Sequence, residues 1–575
     1  MKERYFTLRS YLMHFEKDKQ YDLKLEDVDA LWFCSRKNTK RILKQLVSER
    51  LLAYQPGRGR GNVSKISYFT SFQEEMETLI NDYVEEGKLD KIAEILRLPI
   101  PKGWVANSSK EISELLGLKH DYSESRDILH TFKVREITTL DPLRVSLALE
   151  THLIEYLGDT LVRYDKERDC FIPHIAHHFY VDPTERIWTF YLRKGVYFHN
   201  RENVTSYDVA STIERIKKGN PSYSWLAGNI EKVECPHSHK IEIHLVEPNP
   251  FFLRYLSAPI FCILPANVEF NEFEWIGTGP FKLKERTEYK MVLQANDYYF
   301  KERPLIDEIH FYHVTKEAAR MIYLAGKEST TDIEPSKYRI NDSGVYLLSF
   351  NLQRKNIIQQ HDFREAIYHV FNVQKMENDL QMDIFEASSL DIERSRSETR
   401  SPQKVAALIE SSGYKGETLN LFCFNKYPVL REAQWLQNEA SKFGISLNIC
   451  PISYSEFIKE GVEKEIDILM MGLSLSFDKH LAFSYAFKNK VLLFNRLFSK
   501  EIEEYVQRKL YLFELEEEKD KRTIIMEEIE QYLKKELAMF FLYHPIVTRF
   551  MDPNIKDVES HSFGHIDYTK LWIPS

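Results

Sequence analysis

The chain has 575 residues, 43% of them hydrophobic and 29% charged, with a formal net charge of −9. That length is too great for one core and implies about three compact units of ordinary soluble composition. The longest apolar run, residues 258–268, is broken by Pro259 and Pro265, which excludes a membrane span of roughly eighteen residues or more.

The charge is uneven. Residues 1–70 carry fifteen Lys/Arg against eight Asp/Glu, so the remainder carries about −16. A basic head on an acidic body points to nucleic acid as a partner of the head alone. Six cysteines are scattered without a CxxC pair and read as reduced thiols of a cytosolic protein. Met1-Lys2-Glu3-Arg4 leads into a charged amphipathic segment, not an apolar signal core, so a cytoplasmic location is expected.

Phe6, Leu8, Leu12 and Phe15 recur near helical spacing. A second helix is expected over 25–32, with Glu26 and Asp27 near its positive end. Ser35 then stands as a candidate helix N-cap. In the helix after it, Arg36, Lys37, Lys40, Arg41 and Lys44 fall on one face, and Ile42, Leu43 and Leu46 on the other. Candidate strands at 51–55 and 63–68 flank a turn with three glycines and two arginines, Arg58 and Arg60. A basic helix followed by an arginine-tipped hairpin is the outline of a winged helix-turn-helix, the helix suited to a major groove and the hairpin to phosphates. Helical spacing continues over 72–96 with a break at Gly87, then a short helix at 109–116.

Cys34-Ser35-Arg36, the basic helix and Gly57-Arg58-Gly59-Arg60-Gly61 resemble the N-terminal winged-helix domain of the SgrR family of bacterial transcription regulators. From Leu129 onward strand-like and helical runs alternate, as in an α/β chain. Thr138-Thr139-Leu140-Asp141-Pro142, the run from Trp188 to Asn200, Gly277-Thr278-Gly279-Pro280-Phe281 and Phe363-Arg364-Glu365-Ala366-Ile367 resemble, in order, the family 5 peptide- and nickel-binding proteins of ABC importers. The fold this implies is an α+β winged-helix head followed by an α/β two-lobed periplasmic-binding-protein-like (type II) module. Expected boundaries are 1–115 for the head with its following helices, 116–128 for a linker, and 129–575 for the module. Lobe one is placed at 129–346 plus 542–575, lobe two at 347–541, with hinges at 345–350 and 540–548.

Other groupings carry blander readings. His174, His177 and His178 have ligand chemistry, but His174 occupies a structural position of the resembled family. Cys235, His237 and His239 sit where a hairpin turn is expected. Gly277-Thr278-Gly279-Pro280 lacks the Lys-Ser/Thr of a phosphate-binding loop. No nucleophile, base and orienter can be grouped, so neither an enzyme, a metal nor a cofactor is expected.

In the resembled peptide-binding proteins a Gly-Trp-x-x-Asp phrase supplies the acid that holds a peptide's ammonium group. Here Leu473 stands at the Trp position and Ser476 at the Asp position, with Asp478 two residues on. Ordinary peptides are therefore expected to be poor ligands, since a buried ammonium without a carboxylate costs several kcal/mol. A neutral or anionic solute such as a sugar or sugar phosphate is expected, held by Ser474, Ser476 or Asp478. The partners expected are double-stranded DNA and this small solute, with no membrane and a homodimer left open. The rival readings are a solute receptor of an ABC importer and a cytosolic enzyme or peptide chaperone using the same cleft.

Overall fold

The computed structural model describes residues 2–13, 20–57, 63–101, 103–219, 221–329, 336–341, 344–457, 459, 461–476, 478–551, 554–559 and 565–574. The head opens with α1 (Lys2–Leu12), β1 (Gln20–Leu23), α2 (Leu25–Leu31) and α3 (Arg36–Ser48). It continues with β2 (Ala53–Gln55) and β3 (Ser64–Ser67), and the three strands pair in the order β1-β3-β2. Leu8, Val28, Ile42, Leu43, Leu46 and Ile66 close one small core beneath them. The amphipathic reading of α3 holds, with Thr39 added to its buried face. The strand β1, too short and polar to announce itself, completes the winged-helix sheet.

Ser71 and Glu74 form a reciprocal capping box that starts α4 (Phe72–Glu85). Gly87, at φ +66, separates it from α5 (Leu89–Leu96). Two short helices come next, α6 (Gly103–Ala106) and α7 (Ser109–Glu114). Where a linker was expected at 116–128, the chain instead forms an antiparallel pair, β4 (Gly117–Asp121) and β5 (Arg126–Lys133). The Ser- and charge-rich composition there belongs to the pair's turn and exposed edge, and β5 docks parallel to a strand of the body.

The body continues through α8 (Ala148–Leu157), β6 (Val162–Asp165), β7 (Cys170–Pro173), β8 (Ala176–Val181), β9 (Ile187–Leu192), α9 (Ser206–Lys218) and α10 (Pro221–Ser224). Then come β10 (Ile230–His237), β11 (Lys240–Leu245), α11 (Phe252–Leu256), β12 (Phe281–Arg286), β13 (Lys290–Ala295), β14 (Glu308–His313) and α12 (Lys316–Ser329). Lobe one holds two antiparallel-rich sheets, β10-β11-β9-β8 and β12-β13-β14-β5-β4. Gly195 turns at φ +79 as expected after β9. In the next turn Arg201 takes φ +73, the left-handed conformation a glycine would adopt freely, with its guanidinium over the Tyr298 ring.

β15 (Ser336–Asn341) and β16 (Gly344–Phe350) lead into lobe two. Its elements are α13 (His361–Val370), α14 (Val373–Leu380), β17 (Ile384–Glu386), α15 (Val405–Ser412), β18 (Leu419–Phe424), α16 (Tyr427–Ser441), β19 (Leu447–Ile452), α17 (Tyr454–Phe457) and β20 (Ile468–Ser474). They are followed by α18 (Lys479–Lys488), α19 (Lys500–Leu515), α20 (Lys519–Lys535) and the long β21 (Met539–Met551). The sheet runs β15-β21-β16-β20-β18-β19, with β17 on β21. Its crossing strands β16 and β21 pair with each other, and Tyr346 stacks on Tyr543 at 4.7 Å between ring centres. The tail returns to lobe one, where Ile555, Ile566 and Leu571 join its core.

Head and body share one apolar cluster. Phe72, Met76, Ile92 and Ile112 of the helices α4–α7 pack with Tyr312, Val314, Ala318 and Ile322 of lobe one. A cut at 115 would therefore bare an apolar face on both fragments.

Candidate functional site

In the head, Arg36, Lys37, Lys40, Arg41 and Lys44 are all exposed along α3. Ser35 holds the N-cap position in extended backbone, but its hydroxyl makes no cap. Its carbonyl instead accepts the amides of Asn38 and Thr39 at 2.8 and 2.9 Å, so the expected side-chain cap is absent. Asp29 of α2 supplies the fixing contact: its carboxylate accepts Arg36 Nε at 2.6 Å and the Thr39 hydroxyl. Those hydrogen bonds, Thr39 first and then Arg36, hold the Asp29 carboxyl below the usual range. Arg36 is thus partly spent on orienting α3 against α2, and Glu26 lies 3.5 Å from its other edge. Arg41 Nε donates to Asn38 Oδ1 at 3.2 Å. Lys37, Lys40 and Lys44 have no ion pair among the described residues. The wing arginines Arg58 and Arg60 lie outside the described residues, though the strands beneath them are tied by Gly57 N donating to Ser64 Oγ at 3.2 Å.

One buried side chain joins the winged-helix head to α4. Arg9 of α1 pairs with Glu75 of α4, donates to the Thr70 carbonyl at 2.9 Å, and lies 4.2 Å from the ring centre of Tyr68 and 4.7 Å from that of Phe72. Arg9 therefore ties α1, the segment that follows β3, and α4 together.

Between the lobes the cleft is closed by the protein's own side chains. Arg254 of α11 pairs with Asp478, the residue that starts α18, and lies 3.2 Å from Asp169. Phe251 meets Phe513 at 5.4 Å and Tyr223 meets Tyr485 at 5.8 Å across the same boundary. Asp478 Oδ1 also accepts the amides of His480 and Leu481 at 3.1 and 3.0 Å. Its other oxygen is buried with no hydrogen-bond partner. Burial, helped by Arg254 and Arg522, pushes the His480 imidazole down to about 3, so it stays neutral and accepts from Arg522 Nε at 3.0 Å.

Two cavities adjoin there and share Pro259, Ser476 and Leu481. One, about 240 Å³, is lined by Glu155, Asp159, Arg163, Tyr164 and Asp478. Asp159 is fully tied: it accepts Arg163 Nη2 at 2.8 Å, the Tyr299 hydroxyl at 3.1 Å and the Thr278 hydroxyl at 3.2 Å, and meets His174 Nε2 at 2.6 Å. Burial works to raise its carboxyl, but His174 and Arg163 outweigh that and hold it at about 2. The other cavity, about 220 Å³, is mainly apolar, with Val145, Leu147, Ile260, Leu473, Leu475 and Tyr485 on its walls.

Of the residues singled out from the sequence, Ser476 and Asp478 face the polar cavity, and Ser474 and Ser476 line the apolar one. Arg254 was not foreseen; it lies 224 residues from Asp478, and no local pattern links them. His174 is a buried partner of Asp159, whereas His177 and His178 are exposed on β8, so the three do not converge. His237 and His239 stand at the β10–β11 turn as expected. Among the described residues no helix is long and apolar enough to cross a membrane.

Two family models match the chain. Residues 1–105 match the model of the sugar transport-related sRNA regulator N-terminal domain. Residues 171–491 match that of the bacterial extracellular solute-binding proteins, family 5. The uncharacterized protein YhjP of Bacillus subtilis (strain 168) is 26% identical over 97% of both chains. The HTH-type transcriptional regulator SgrR of Shigella boydii serotype 4 (strain Sb227) is 25% identical over 80% of this chain and 81% of its own. Among solved structures, the periplasmic binding protein DppA of Helicobacter pylori, in complex with the peptide STSA, superposes with a TM-score of 0.67 at 17% identity, covering 78% of this chain and 98% of its own. NikA of Brucella suis gives 0.65 at 17% identity, covering 78% and 100%. The chain belongs to the family 5 bacterial solute-binding proteins, in the SgrR-type arrangement that sets a regulator's N-terminal domain ahead of the two lobes.

Proposed function

We propose that the protein is a cytoplasmic transcription regulator that binds double-stranded DNA through α3 and its wing and senses a small solute between its lobes. The observation that carries this reading is the exposed lysine face of α3 in a winged-helix head packed directly onto a solute-binding fold. Lys37, Lys40 and Lys44 neutralise phosphates or reach base edges, while Arg36 holds the helix in register through Asp29. The regulators named SgrR among its relatives support this reading over an importer's receptor.

The cleft favours a neutral or cationic solute over a sugar phosphate. On the polar wall Asp159 is matched by Arg163 and Asp478 by Arg254, which leaves Glu155 in excess, so a phosphate there meets net negative charge. Ser476 and the unpartnered oxygen of Asp478 offer an acceptor to a hydroxyl, and the apolar cavity takes the rest of the molecule. An ordinary peptide would have to displace Arg254 from Asp478 to seat its ammonium group.

The test is fluorescence anisotropy of the full chain against a random-sequence duplex pool, with bound duplexes recovered and sequenced, repeated with a library of neutral sugars and amines. Recovery of a common sequence whose affinity shifts with one solute supports the proposal. Absence of any enriched duplex removes it.

A further inference from the structure

We propose that Phe33 is a base-reading side chain of the head, its ring contacting the 5-methyl group of a thymine in the major groove beside the first turn of α3. The inference rests on the DNA-binding reading above and adds to it a specific contact of a different chemistry from the lysines.

A lone exposed apolar side chain is ordinary on a protein surface. Phe33 is set apart by where the backbone puts it. The ring is 96% exposed, the most of any large hydrophobic residue among those described. It stands in the turn between α2 and α3, two residues before the Ser35 that opens the helix. Its backbone sits at φ +45, a conformation rare for a bulky residue and favoured there by glycine or asparagine. A turn of that geometry, filled with phenylalanine, directs the side chain away from the core of the head.

The backbone on either side of Phe33 is tied down. Phe33 N donates to the Ala30 carbonyl at 3.3 Å and Cys34 N to the Asp29 carbonyl at 3.1 Å. Before it, Trp32 is buried and donates from its indole to the Arg4 carbonyl at 3.0 Å. After it, Cys34 Sγ lies 3.3 Å from Thr39 Oγ1, and Asp29 ties Arg36 and Thr39 to α2. Phe33 therefore projects from a well-tied backbone next to the exposed Ser35 and Lys37 in sequence, at the end of α3 that approaches base edges in this class of motif.

The occupant follows from the charge around it. The exposed Lys37, Lys40 and Lys44 of the helix that follows the ring call for a polyanion, and an apolar ring on a polyanion's groove finds its partner in the thymine methyl, the apolar group on a major-groove base edge. Contact there removes ring surface from water, the driving force the exposed position otherwise forgoes.

The experiment uses the full chain and one duplex recovered by that chain from a random-sequence pool. Each thymine is replaced in turn by uracil, which lacks only the methyl group, and affinities are measured for the wild-type chain and for Phe33→Ala. The expected result is one position at which uracil weakens the wild type by about five- to tenfold, while Phe33→Ala binds the thymine and uracil duplexes alike. Phe33→Leu is expected to keep part of the discrimination. A Phe33→Ala chain that loses the same affinity on every duplex, or shows the wild-type uracil profile, overturns the inference and leaves DNA binding standing. A wild-type chain that recovers no duplex overturns both.

Discussion

The guanidinium of Arg254, on lobe one, is held against the carboxylate of Asp478, on lobe two, with both side chains about 95% buried. The two lobes are thus clasped by a charge pair whose carboxylate lines the polar cavity between them. Asp478 also starts α18, so the same carboxylate fixes a helix and a lobe–lobe contact. On the proposed sensing role, a solute that satisfies its free oxygen should reinforce the clasp, and one that competes for Arg254 should open it.

Removing either partner is expected to be costly. Arg254→Met leaves a buried carboxylate without its cation and should lower unfolding free energy by about 3–5 kcal/mol. Asp478→Asn keeps the helix cap and should cost a similar amount. The double variant should cost less than the sum, because neither charge is then left unpaired. Urea denaturation of the four proteins checks this; strictly additive losses would show that the pair does not couple the lobes.

A second expectation concerns pH. Glu432 of α16 is 1% exposed with one carboxylate oxygen unpartnered, and burial pushes its carboxyl up to about 7. Its folded value is thus above its unfolded one, so its contribution is most favourable below about pH 4.5. That contribution is lost as the pH rises to about 7, and is constant beyond. Glu432→Gln should therefore match the wild type near pH 4.5 and exceed its stability at pH 8 by roughly 3 kcal/mol or less. Equal stability differences at both pH values would contradict the assignment.

The junction of head and body offers a third test. A side chain at Gly326 of α12 would run into the Ser113 side chain of α7. Gly326→Leu should displace the Ser113 side chain, crowd the contact between α7 and α12, and cost about 1–3 kcal/mol. It should also weaken any effect of solute on DNA affinity, since α12 leads through β15 to the crossing strands. Unchanged coupling in a destabilised variant would place the transmission elsewhere.

The sequence made the basic face of α3 legible because helical spacing separates Lys40 and Lys44 from Ile42 and Leu46 without ambiguity. The body was legible through many weak phrases kept in order, not through any one strand. What stayed hidden has a physical reason. The pair β4–β5 is polar along one edge and reads as linker, and its docking on β14 is a contact between segments about 180 residues apart. The clasp of Arg254 and the double duty of Asp29 are likewise products of tertiary approach. A helix-capping serine was expected at Ser35, but the backbone turn satisfied those amides without its hydroxyl.

The most direct measurement is the salt dependence of DNA affinity for the full chain and for a Lys37→Ala, Lys40→Ala, Lys44→Ala variant. If these lysines displace counterions from a duplex, log affinity against log salt should flatten by about 0.9 for each phosphate no longer neutralised, roughly 2.7 in all. The wild type should bind with the steeper slope and the variant more weakly at low salt. A wild-type chain without salt-dependent binding, or a variant with the wild-type slope, would contradict a DNA-binding role for the face of α3.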